Sequence, residues 1–122
     1  MTEEFGRRIW VLSLSLRGTK TEPQWRTFLW DAAKLMNMNA TGLPQTWRYP
    51  VNDKGGNGLT MVQPITESFL TIDTWPDHDG VYFAINSCKK FDERQVVHWL
   101  EVDQELVVID SMSGSLSLPG NA

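Results

Sequence analysis

The side chains with chemistry to offer gather between positions 60 and 88. Thr60 and Ser68 bring hydroxyls, Glu67, Asp73 and Asp77 bring carboxylates, and Cys88 brings the chain's one thiol. By pattern alone each has an ordinary place. Thr66–Asp77 reads as a turn and then a strand, with Leu70, Ile72 and Thr74 on one face and Phe69, Thr71, Asp73 and Trp75 on the other. Pro76 stops that strand, and Asp77, His78, Asp79 and Gly80 form a turn. Ser68 is then a turn residue and Asp73 an exposed strand carboxylate. Cys88 is a buried thiol packed as a small hydrophobe. A lone cysteine excludes an intramolecular disulfide and a multi-cysteine zinc site, and no metal is expected. His98 reads as a rim histidine without chemistry. The loop Val51–Gly58 carries Gly55, Gly56 and Gly58 but lacks the Gly-Lys-Ser/Thr ending of a nucleotide loop. It is expected to be a flexible active-site or surface loop rather than a phosphate cradle.

The elements that must position these groups are legible around them. Ile9–Leu16 alternates strictly, with Trp10, Leu12, Leu14 and Leu16 toward a core. Thr21, Pro23 and Gln24 spell a capped helix start. Trp25, Phe28, Leu29, Ala32, Leu35 and Met36 then draw one apolar stripe. Thr46–Tyr49, Leu59–Gln63 and Val81–Ser87 read as further strands, with Pro64–Glu67 as a turn. Asp92 caps a second helix with Val96, Val97, Trp99 and Leu100 on its buried face. A last strand spans Leu106–Ile109, and a poorly ordered tail is expected from residue 111. Consecutive strands with short turns imply antiparallel pairing. The expected fold is an α+β two-layer sandwich, a mainly antiparallel sheet with two helices on one face.

Composition narrows the class. The chain has 122 residues, one domain's worth, with 41% hydrophobic residues, 21% charged residues and a net charge of −4. An acidic chain without a Lys/Arg cluster is a poor match for nucleic acid, which rewards basic surfaces. No apolar run approaches a membrane span, and the acidic start Met1–Phe5 is no signal peptide. A cytoplasmic domain is expected. Six tryptophans suit a core, a ligand platform or an interface equally well.

In order and spacing, Gly58-Leu59-Thr60, Glu67-Ser68, Leu70-Thr71-Ile72, Thr74-Trp75-Pro76 and Ser87-Cys88 resemble the prokaryotic S-adenosylmethionine decarboxylase proenzymes. Gly6-Arg7 matches that family's usual opening, and the resemblance spans roughly residues 6–110. It implies a chain that makes its own cofactor. The Ser68 hydroxyl attacks the Glu67 carbonyl carbon, and the peptide becomes an ester. Elimination cuts the chain into 1–67 and 68–122, leaving a pyruvoyl group at residue 68. That ketone forms a Schiff base with the substrate amine and takes up the electrons released with carbon dioxide.

By the same resemblance, Thr60 assists processing, Cys88 protonates the product carbanion, and Asp77 stands where a glutamate holds the ribose hydroxyls. S-adenosylmethionine is the implied substrate, polyamine biosynthesis the implied setting, and a homodimer with sites near its interface the implied assembly. The chain departs from the family at Asp73 and Phe69, which replace its two histidines, and at Ala84, which replaces an acidic residue. Asp73 falls to the processing base. The adenine-stacking aromatic is unplaced, with Trp47 and Tyr49 as candidates. Ser68 and Asp73 lie an odd number of positions apart, so joint action needs a bulge or a turn that ends after Ser68. The alternatives are a non-cleaving homologue that binds a ligand or activates a partner, and a pyruvoyl decarboxylase of arginine or ornithine.

Overall fold

The computed structural model describes residues 7–50 and 57–119. The glycine-rich stretch 51–56 and the acidic start lie outside the described residues. The chain runs β1 (Arg8–Arg17), α1 (Glu22–Leu35), β2 (Gln45–Pro50), β3 (Asn57–Ile65), β4 (Ser68–Trp75), a 3-10 turn (Pro76–His78), β5 (Gly80–Ser87), α2 (Glu93–His98) with a π-helical extension (Trp99–Asp103), and β6 (Val107–Ser117).

The six strands form one antiparallel sheet in the order β2-β3-β4-β5-β1-β6. Strands β2 to β5 make a meander because their connections are short. The first strand completes the sheet's centre from a distance, slotting between β5 and β6. The two helices pack on one face, which makes the fold an α+β sandwich.

Alternation decides which side chains face the helices. Leu12, Leu14 and Leu16 of β1, Leu70 and Ile72 of β4, and Val81, Phe83 and Ile85 of β5 are all buried. Trp25, Phe28, Leu29, Ala32 and Ala33 of α1 meet them. Phe28 is the hub, with ring centroids 5.1 Å from Trp25, 4.9 Å from Phe83 and 4.9 Å from Trp99. The capping box of α1 forms as its sequence implies. Thr21 N–H donates to Gln24 Oε1 at 2.8 Å, and Gln24 N–H donates to Thr21 Oγ1 at 3.3 Å. In α2, the Asp92 side chain accepts from the N–H groups of Arg94 and Gln95.

Two expectations need correction. The last strand does not stop at Ile109, and residues 111–117 are not a loose tail. They extend β6, with Met112 opposite Ser13, Gly114 opposite Val11 and Leu116 opposite Ile9. The ladder there is a backbone property, and the strand's outer stretch is exposed on both faces. No apolar periodicity marked it in sequence. Second, Pro64 and Ile65 belong to β3, which leaves only Thr66 and Glu67 as the turn into β4.

Candidate active site

The face of the sheet away from the helices has no second layer from this chain. It displays Phe69, Thr71, Asp73 and Trp75 of β4, Tyr82 and Ala84 of β5, and Met112 and Leu116 of β6. Most of the residues singled out by sequence lie on or beside this face, at two separate places.

One place is the turn from β3 to β4. Glu67 is buried, and its Oε1 accepts from the Asn39 N–H at 3.1 Å. Its backbone carbonyl accepts from the Cys88 N–H at 2.9 Å. That bond draws electron density from the carbonyl carbon and sets Cys88, a partly exposed free thiol, beside the Glu67–Ser68 peptide. Ser68 itself has φ +156°, rare for a residue with a Cβ. Such a conformation stores on the order of 1–3 kcal/mol. Ser68 pairs with Ile65 on one side and Ser87 on the other. Ser87 is held by its own bonds to the Lys89 backbone.

The other place lies toward the far end of β4. Thr60 stands directly opposite Asp73 in the ladder, and Tyr82 flanks Asp73 from β5. Three donors converge on the Asp73 carboxylate. The Tyr49 phenol donates to Oδ1 at 2.6 Å, Thr60 Oγ1 donates to Oδ1 at 3.1 Å, and the Trp75 indole N–H donates to Oδ2 at 3.3 Å. The Tyr49 and Thr60 oxygens are themselves 3.2 Å apart. Chiefly because its proton is held by Asp73, the Tyr49 phenol is raised above the usual tyrosine range. Asp77 is exposed in the 3-10 turn just beyond this end.

These two places do not meet within one chain. The β4 register runs without a shift from Ser68 to Trp75 against both neighbours. No bulge offsets the odd spacing, and five residues of strand span about 17 Å. Glu67, Ser68 and Cys88 are thus one group, and Thr60, Asp73 and Tyr49 another. Sequence reading put Tyr49 forward only as a stacking platform. Its bond to Asp73 depends on cross-strand register, which the linear order does not spell out.

The family model for S-adenosylmethionine decarboxylase matches residues 19–105. This chain belongs to that family. In structure it is similar to the crystal structure of the adenosylmethionine decarboxylase from Aquifex aeolicus VF5, with a TM-score of 0.61 and 16% identity. That match covers 95% of this chain and 93% of the other. At that identity the likeness speaks for the fold. No curated protein matches by sequence. Membership gives the turn at Ser68 its interest, because the family's cofactor arises from a serine so placed. Among the described residues no cluster of three His, Cys, Asp or Glu could hold a metal ion.

Proposed function

We propose that this chain is a self-cleaving, pyruvoyl-dependent decarboxylase that takes S-adenosylmethionine and works as a homodimer. One observation carries the reading. The Glu67–Ser68 peptide joins a strained serine to a carbonyl that already accepts a hydrogen bond from Cys88. Strain at this bond is relieved when the chain opens there. The residues present therefore suit formation of the group.

Ser68 Oγ attacks the Glu67 carbonyl carbon, and the C–N bond gives way to an ester. Loss of the Ser68 α-proton then breaks the Cβ–O bond and frees Glu67 as a carboxylate C-terminus. Water releases the nitrogen of residue 68 as ammonia. The pyruvoyl group so formed supplies an electron sink for decarboxylation. Cys88 offers its thiol proton to the product carbon. The Cys88 N–H keeps that thiol in place through its bond to the chain that is cut.

Thr60 and Asp73 are the groups offered for moving protons during processing, yet they stand about 17 Å along the strand from Ser68 in the same chain. A second copy resolves this. A two-fold axis through the middle of the open sheet face sets the Ser68 end of one protomer over the Asp73 end of its partner. The face suits self-association, since Phe69, Trp75, Tyr82, Met112 and Leu116 are all exposed on it. Asp77 then stands ready to hold substrate hydroxyls.

The test is carbon dioxide release from carboxyl-labelled S-adenosylmethionine by the purified chain. Release that a carbonyl reagent blocks, and that Ser68→Ala lacks, is the expected result. No release from a chain that has cleaved itself moves the substrate to another amino acid. No release from an uncleaved chain overturns the enzyme reading.

A further inference from the structure

We propose that Asp73 and the aromatic side chains around it form a binding site for an aliphatic cation carrying N–H donors, an ammonium or guanidinium group. The site lies within one chain and does not depend on pyruvoyl chemistry.

The carboxylate is fixed before any ligand arrives. Tyr49, Thr60 and Trp75 orient it, and all three are neutral donors. They anchor the negative charge without cancelling it. A carboxylate has about four lone-pair positions. Oδ1 already accepts two bonds and Oδ2 one. One position on Oδ2 is left for an incoming N–H, whose bond to an anion is of the strong, charge-assisted kind. A sulfonium has no N–H to give and cannot use it.

Aromatic faces surround that position. Tyr82 is the direct cross-strand neighbour of Asp73 and is 57% exposed. Trp75 follows two residues along β4 and is 39% exposed, and Trp47, opposite Thr60, is 52% exposed. Aromatic side chains held this open on a sheet leave ring faces free for a cation. Beyond Tyr82 the same cross-strand row continues through Ser15 to Asp110. A groove of about 370 Å³ lies there, lined by Ser13, Ser15, Tyr82, Asp110 and Met112 among others. It gives room for the aliphatic part of a ligand whose charged end rests at Asp73.

The experiment is calorimetric titration of the full-length Ser68→Ala chain, which cannot cleave, with putrescine, ornithine and norvaline. Ornithine differs from norvaline by its distal ammonium alone. Ornithine or putrescine is expected to bind, and norvaline at least tenfold more weakly. Asp73→Asn keeps an oxygen for the Tyr49 and Thr60 bonds and removes the charge. It should weaken the cation about tenfold, the loss of one charge-assisted bond. Tyr82→Leu, on an exposed side chain that the core does not need, should weaken the cation several-fold and leave norvaline unchanged. Binding of ornithine alone assigns the site to an amino-acid substrate, and equal binding of putrescine assigns it to a free amine. Absence of binding by any cation, equal binding of norvaline, or cation affinity unchanged in both variants overturns the proposal. Self-cleavage by the unmodified chain is read separately by mass, so this site and the pyruvoyl reading fail independently.

Discussion

At the scale of single residues, position 68 separates strain from chemistry. Neither Ser68→Ala nor Ser68→Gly can cleave, since neither has the hydroxyl. Only glycine adopts φ +156° without a Cβ penalty. The glycine variant should therefore be more stable than the alanine variant by about 1 kcal/mol, despite the greater flexibility of glycine in the unfolded chain. Urea denaturation of the two checks it, and equal midpoints would mean that the turn stores no strain. Cys88 gives a second contrast. Cys88→Ala keeps the backbone N–H that holds the Glu67 carbonyl. Self-cleavage should persist while decarboxylation falls by two or more orders of magnitude, roughly the worth of a positioned proton donor. Gel mobility and carbon dioxide release read the two steps apart.

At the scale of elements, the first turn of α1 is tied to strand β2. Glu22 accepts from Arg48 through both of its oxygens and also from Arg26 one turn on. Chiefly through its bond to Arg48, the Glu22 carboxyl is lowered below its ordinary value of 4.5. A lowered folded-state value means that this tie contributes above the unfolded value. The contribution fades as pH falls through 4.5 and below. Removing it with Glu22→Gln should flatten the acid limb of the stability curve, which thermal melts between pH 3 and 6 would follow (the window on either side of an ordinary carboxyl group).

Much at this scale was readable in the sequence. The capping box at Thr21 and Gln24, the alternation of Leu12, Leu14 and Leu16, and the stripe through Phe28 and Leu29 each carry a local signature. The outer half of β6 carried none. Its Ser and Gly residues are held by a ladder to β1, whose partner lies about a hundred residues away in sequence. The site was legible to the same degree. Glu67, Ser68 and Cys88 come together, but the convergence of Tyr49, Thr60 and Trp75 on Asp73 is a matter of register between strands.

At the scale of the molecule, the account turns on a sheet with one face uncovered and two half-sites at opposite ends of it. Mixed variants test whether two protomers share a site. Ser68→Ala retains Asp73, and Asp73→Asn retains Ser68. Each alone should stay intact if the partner's Asp73 serves processing. Co-expressed chains should form hybrid dimers in which the Asp73→Asn chain is cut. Failure of the hybrid to cleave, with dimers present by sedimentation, would return processing to groups within one chain. Leu116→Glu, on the exposed apolar face, should lower dimer content and self-cleavage together. The most direct measurement is the intact mass of the freshly purified chain beside Ser68→Ala. The account predicts two fragments, residues 1–67 and 68–122, the second with a blocked pyruvoyl end, and an uncut control. A single 13.9 kDa species that survives prolonged incubation would contradict it.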